Sequence, residues 1–174
     1  MTIDEQPFDP LWPFQDEINL IRSLLGAAEG PDGNPGIRLS RCLRFIVNEY
    51  RLDAQRDRAE PPTLLDILNK VEGLSQTTPT AEVLANAPLL EDWSPGVEVD
   101  GCARLYGRVA NHPRLSDGAR IFTSPYLRLD PQNSWARSWS RFYRLGTYNR
   151  SFMGELILDE VLDPQTRSIE IPTR

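Results

Sequence analysis

The spacing of apolar residues along this chain of 174 residues changes near Val97. Before that point apolar residues recur every three or four positions, as on one face of an α-helix. After it they alternate with polar residues, as on a half-buried β-strand. We therefore predict an α+β protein with a helical N-terminal half of three to four helices and a pleated C-terminal half.

The helical half divides at prolines and glycines. Helical spacing covers four segments, residues 14–28, 38–56, 63–73 and 80–87. Three glycines and two prolines within residues 30–36 separate the first helix from the second, and residues 88–96 are expected to form a connector. The predicted organisation is an extended lead at 1–13, a helical region at 14–96 and an antiparallel β domain at 97–174.

The pleated half is expected to contain about five strands, in an antiparallel sheet or a small, partly open barrel. Alternation runs through five segments, residues 103–109, 120–129, 135–145, 155–162 and 168–171. Pro125 interrupts the second of them, which suggests an edge position or a bulge because proline cannot donate to a ladder.

Charge is distributed very unevenly along the chain. Residues 101–154 hold nine arginines and two aspartates, so a protein of net charge -6 contains a block near +7. Alternation is predicted to gather guanidinium groups and aromatic rings on one side of the sheet. We call this predicted surface the arginine-aromatic face. Its members are Arg104, Arg108, Arg120, Tyr126, Arg128, Trp135, Arg137, Trp139, Arg141 and Tyr143.

The arginine-aromatic face predicts an anionic partner. Guanidinium forks bind carboxylate or phosphate, and tryptophan, tyrosine and arginine are enriched at the energetic centres of protein interfaces. A protein partner is therefore one hypothesis. Single-stranded nucleic acid or a nucleotide, with bases stacked on the rings, is the alternative. Two structural interpretations compete with both: an ordinary cation-π ladder, or neutralisation of the block by the chain's own acidic helices.

Few residues are available for catalysis or metal binding. His112 is the only histidine, and Cys42 and Cys102 lack the spacing of a metal site, so we expect structural thiols, no metal and no cofactor. His112, Asp117 and Ser124 would be the base, orienter and nucleophile of a small hydrolase, which remains a second alternative. No G-x-S-x-G, phosphate-loop or dinucleotide-binding motif supports catalysis.

Nothing in the sequence suggests a membrane. The chain has no apolar run of about 18 residues, and its N-terminus lacks the basic and hydrophobic parts of a signal peptide. We expect a cytoplasmic protein without a membrane partner.

Six short motifs lie within the pleated half: GRV at 107–109, HPRL at 112–115, DG at 117–118, TSP at 123–125, WAR at 135–137 and FYRLG at 142–146. Together they resemble a pattern found in short uncharacterised proteins of bacteria and their mobile elements. The resemblance implies a compact β unit and a phage or plasmid context, and it identifies no catalytic residue. The leading hypothesis is thus a non-enzymatic interaction protein, an inhibitor or modulator of a host defence or regulatory protein.

Overall fold

The protein is represented by a computed structural model that describes residues 9–27 and 37–171. The start of the predicted lead and the whole glycine-rich linker at 30–36 lie outside the described residues. Within them, four helices precede most of the sheet and a fifth helix follows its sixth strand. The elements are α1 (Gln15–Ala27), α2 (Arg41–Arg56), α3 (Leu64–Gln76), α4 (Ala81–Asn86), β1 (Leu89–Val97), β2 (Ala103–Ala110), β3 (Ala119–Phe122), β4 (Tyr126–Leu129), β5 (Trp135–Ser138), β6 (Phe142–Leu145), α5 (Phe152–Leu158) and β7 (Arg167–Ser168).

Helices α2, α3 and α4 begin where a hydroxyl side chain caps the first turn. The side chains of Ser40, Thr63 and Thr80 each accept a hydrogen bond from the backbone N–H three residues further on. Such a cap satisfies one of the unpaired donors at a helix start. These caps explain where the three helices begin. The element order confirms the α+β class, with helices before the sheet, in outline.

The strands form one open sheet in the order β3-β2-β1-β6-β5-β4, and β7 pairs with the end of β1. All pairs are antiparallel except β1 with β6. The sheet thus has seven strands within the described residues, rather than about five, and one of its pairs is parallel.

The central strand β1 occupies the segment predicted to be a connector. Pro95 and Gly96 obscured it, and its register with β2 shifts between Glu91 and Ser94, where Asp92 adopts a φ of 51°. A bulge of this kind breaks alternation. A central strand with buried residues on both faces also shows no clean polar and apolar period.

The prediction of a strand at 155–162 is wrong, because the first part of this segment belongs to the helix α5. Phe152 and Leu156 lie one turn apart and pack with Tyr106 of β2 in a small apolar cluster. Leu158, which alternation placed inward, is 84% exposed. The four-residue spacing of Phe152 and Leu156 fits one face of a helix, and their contact with the sheet selects the helix over the strand.

Two segments predicted as single strands are each divided in two. Residues 135–145 form β5 and β6, joined by a turn in which the N–H and side chain of Ser138 bond to the carbonyl of Arg141. Residues 120–129 form β3 and β4, which lie at opposite ends of the strand order. These divisions decide which side chains share a surface.

Buried residues form a helical core and a sheet core. The helical core combines α1, α2 and α3 with two residues from the pleated half, Cys102 and Leu127. The sheet core includes Trp93 and Leu129. Within residues 9–27 and 37–171, no helix combines the length and the hydropathy required to cross a membrane.

Candidate functional site

The structure disperses the predicted arginine-aromatic face. Arg104 on β2 is buried and lies 2.9 Å from a carboxylate oxygen of Asp100 and 3.2 Å from one of Glu98. Burial opposes ionisation of Asp100, but hydrogen bonds from Arg104 and from the backbone of Cys102 outweigh it and lower the pKa of this carboxyl. Arg104 is therefore a neutralised, structural cation.

The other predicted arginines of β2 and β3 are also paired. Arg108 lies 3.6 Å from Asp92, and Arg120 lies 2.6 Å from Asp159. These acids belong to the bulge of β1 and to the end of α5, not to the N-terminal helices. The block is thus neutralised in part by acids of the central strand and of α5.

Four further members of the predicted face occupy other environments. The rings of Tyr126 and Tyr143 are buried in the sheet core, on the side of the sheet opposite to Arg137. Trp139 packs edge-on against Tyr50 of the helical core, with ring centres 5.3 Å apart. Arg141 lies in the turn between β5 and β6.

Three predicted members remain together on one face of β4, β5 and β6. Arg128 lies opposite Arg137 across β4 and β5, Arg137 opposite Phe142, and Trp135 opposite Arg144. Residues directly opposite across an antiparallel pair share a face. We call these five residues the arginine ladder: Arg128, Trp135, Arg137, Phe142 and Arg144.

The sequence pattern missed Phe142 and Arg144. The turn after Ser138 reverses the chain and changes the parity, so even-numbered residues of β6 join odd-numbered residues of β5. A Ser-Trp-Ser-Arg turn carries no glycine or proline that would have marked it. The serine at position 138 was the available signal, since its hydroxyl accepts a hydrogen bond from the backbone N–H of Arg141 in this turn.

Arg128 is balanced by rings and by a helix end. Its guanidinium lies 4.5 Å from the ring centre of Trp12 and 5.0 Å from that of Trp135. One of its nitrogens is 3.4 Å from the carbonyl oxygens of Ser75 and Gln76, in the last turn of α3. Helix α3 has no basic residue in that turn, so Arg128 supplies the cation that its dipole favours.

Arg144 has a similar role at α4. Its Nε donates to the carbonyl of Ala87, the C-cap residue of that helix, over 3.1 Å. Two of the three ladder arginines therefore bond to carbonyl oxygens at the ends of helices of the N-terminal half.

Arg137 is the exception. Its guanidinium stacks over Phe142 at 4.7 Å, its Nε is buried without a hydrogen-bond partner, and no carboxylate among the described residues comes within ion-pair distance. Burial lowers the pKa of this guanidinium, because the charged form loses water. The like charge of Arg128 lies directly across the strand pair. Arg137 is thus a half-buried cation that the described fold does not neutralise.

The rings of the ladder already have partners. Trp135 contacts Arg128, as does Trp12 from outside the ladder, and Phe142 contacts both Arg137 and Trp135. A nucleobase would have to displace these contacts in order to stack. The ladder can instead bind a ligand through the N–H groups at the edges of its guanidinium groups, and these suit a carboxylate or phosphate oxygen.

The residues considered for a hydrolase do not meet. His112 contacts Arg141, whose nitrogen is 3.1 Å from Nε2, while Ser124 bonds to Ser140 and Asp117 caps a backbone N–H of its own hairpin. Among the described residues none of His112, Asp117 and Ser124 hydrogen-bonds to another. In the same ranges, no group of three or more metal-ligating side chains is found.

Comparison with known proteins places most of the chain in one family. A family model described as a family of unknown function (DUF6634) matches residues 57–164, which include all five ladder residues. Neither the curated proteins nor the solved structures contain a match to the chain. The expected relation to an uncharacterised family is therefore supported, although the six motifs are not themselves confirmed as its signature. The chain belongs to the family of unknown function DUF6634.

Proposed function

We propose that the protein is a non-enzymatic interaction protein whose arginine ladder binds an acidic segment of a partner protein, with Arg137 as the anchor. The observation that carries the proposal is the half-buried guanidinium of Arg137, which has no hydrogen-bonded or ionic partner among the described residues. Arg104, Arg108 and Arg120 of the same charged block all have one.

The energetics favour filling this position. A cation withdrawn from water without a partner lowers stability, and a carboxylate delivered to it recovers a charge-assisted hydrogen bond of about 1.5–3 kcal/mol. Arg128, on the neighbouring strand, presents a second guanidinium to the same acidic segment. Such paired, partly desolvated arginines are typical of the energetic centre of an interface.

An acidic protein segment fits better than single-stranded nucleic acid. Nucleic-acid binding relies on free rings for stacking, and the rings of the ladder hold intramolecular contacts. The mobile-element resemblance extends the proposal to a host defence or regulatory factor, which the protein would inhibit or modulate.

Binding of a labelled hexaglutamate peptide, followed by fluorescence anisotropy at low ionic strength, tests the proposal. Arg137→Gln should weaken binding by about tenfold or more, because it removes one charge-assisted hydrogen bond. Arg114→Gln is the matched control: it makes the same charge change at an exposed residue in the β2–β3 hairpin that is not a member of the ladder. Equal losses in the two variants, or no binding of the peptide at all, would contradict a specific role for Arg137.

A single-stranded oligonucleotide in the same assay tests the alternative. The proposal expects the acidic peptide to bind more tightly than the oligonucleotide, and Phe142→Leu to weaken peptide binding less than Arg137→Gln does. Tighter binding of the oligonucleotide, together with its loss in Phe142→Leu, would replace the acidic segment by nucleic acid as the ligand.

A further inference from the structure

The two cysteines of the chain meet at the junction of the helices and the sheet. Cys42 lies in the first turn of α2, and Cys102 lies in the turn that leads into β2. Both side chains are buried, at 3% and 1% exposure, within the helical core. Both thiols are free, and Cys42 borders the same groove as Gly101 and Ala103, the two chain neighbours of Cys102.

The backbone on both sides of this contact is held in place. A guanidinium nitrogen of Arg41, the neighbour of Cys42, is 3.3 Å from the carbonyl oxygen of Val99. The N–H of Cys102 donates to the carboxylate of Asp100 over 2.8 Å. The start of α2 is thus linked to the turn before β2 by a contact that does not involve sulfur, and the backbone at Cys102 is fixed within that turn.

We propose that Cys42 and Cys102 form a site of oxidative modification, at which a reversible disulfide joins α2 to the sheet. The oxidant is a small-molecule disulfide such as glutathione disulfide. One protein sulfur, after losing its proton, attacks the small disulfide and releases one small thiol, and the second protein sulfur then displaces the other. The protein loses two hydrogens, one S–S bond forms, and the small disulfide is reduced to two thiols.

Proximity, rather than acidity, favours this reaction. The hydrogen bond with Cys102 and burial both raise the pKa of Cys42, so the thiol stays protonated and reacts slowly with outside reagents. Once one sulfur is in a mixed disulfide, the other lies in the same buried cluster and the second step is intramolecular. Cys42 also borders an open groove together with Gly101, which gives a small disulfide a route to the site.

The cross-link would stabilise the whole fold. It closes a loop of about 60 residues, which restricts the unfolded chain. By the same free-energy cycle, the folded protein should form the disulfide about a thousandfold more readily than the unfolded protein does. The melting temperature should rise by roughly 10 °C on oxidation.

The test uses the full chain in glutathione buffers of graded redox ratio, in native conditions and in denaturant. Thiols are trapped with a maleimide after unfolding and counted by mass spectrometry. At glutathione ratios where the denatured chain remains reduced, we expect the native chain to be a monomer two hydrogens lighter, whose cysteines do not react with the maleimide. Its melting temperature should be raised, and a dithiol reductant should reverse the rise. Cys42→Ser and Cys102→Ser should each lose the rise in melting temperature.

Three results would overturn the proposal. They are an equal tendency to oxidise in the folded and unfolded chain, accumulation of glutathione adducts or disulfide-linked dimers in place of the internal bond, and oxidation without a rise in melting temperature. The first comparison needs only the unmodified chain, so it stands even if a cysteine variant fails to fold. None of these results bears on the binding role proposed for Arg137.

Discussion

At the scale of single residues, surroundings assign different roles to chemically identical side chains. Arg104 neutralises two carboxylates, Arg128 bonds to the carbonyls at the end of α3, and Arg137 has neither kind of partner. Removing the first would leave carboxylates uncompensated, whereas removing the last leaves nothing unpaired in the described fold. A functional role is therefore easier to argue for Arg137 than for its neighbours.

His112 gives a prediction at the same scale. Burial, together with the positive charges of Arg141 and Arg114, lowers its pKa in the folded state. The unfolded state therefore binds more protons below about pH 6.5, and the free energy of unfolding falls as the pH drops from about 7 to about 5. His112→Gln should flatten this dependence, as measured by urea unfolding across that range.

Other shifted groups do not interfere in this pH range. The carboxyls with lowered pKa, Asp66 and Asp100, have ordinary values near 3.8 and titrate below the range. An unchanged pH dependence in His112→Gln, or stability that increases towards pH 5 in the original chain, would contradict the prediction.

At the scale of elements, the sequence pattern predicts a helix or strand only when one face of that element is buried and the other is exposed. Helices α1, α2 and α3 each present one apolar stripe to the helical core, and their spacing predicted them to within a few residues. Strand β1 has buried residues on both faces and contains a bulge, so its pattern carries no period. The short helix α5 has too few turns to distinguish the two periods, and its contact with Tyr106 settles its conformation.

Two glycines make the packing of these elements testable. A Cβ on Gly107 of β2 would lie 2.7 Å from a side-chain carbon of Leu90 and 2.8 Å from the carbonyl oxygen of Glu91, both on β1. Gly107→Ala should therefore lower the free energy of unfolding by about 1–3 kcal/mol. Gly73→Ala, in α3 with open space around it, should raise it by about 0.5–1 kcal/mol. Denaturant unfolding measures both, and a shift in the same direction for the two variants would contradict this account of the packing.

At the scale of the whole molecule, β4 links the two cores. Leu127 belongs to the helical core, Leu129 belongs to the sheet core, and Arg128 between them reaches the end of α3. The segment before α1 adds to this link, because the carbonyl of Leu11 accepts from the N–H of Leu129. The helical and pleated halves are therefore expected to unfold together.

Leu127→Ala tests this cooperativity. Removing a fully buried leucine should lower the free energy of unfolding by about 2–4 kcal/mol. Hydrogen exchange should show the amides of α2 and of β1 losing protection by the same amount, since one transition exposes both. Loss of protection in α2 with unchanged protection in β1 would show instead that the halves are independent domains.

The sequence by itself determined the α+β class, the order of the helices and the concentration of arginines in the pleated half, because periodicity and composition are local properties of the chain. Only the tertiary structure decided which arginines share a surface. The unmarked turn between β5 and β6 reverses side-chain parity, and the strand order separates Arg120 from Arg128. The partners that neutralise Arg104, Arg108 and Arg120, and the absence of one for Arg137 among the described residues, depend on contacts between segments that a linear pattern does not contain.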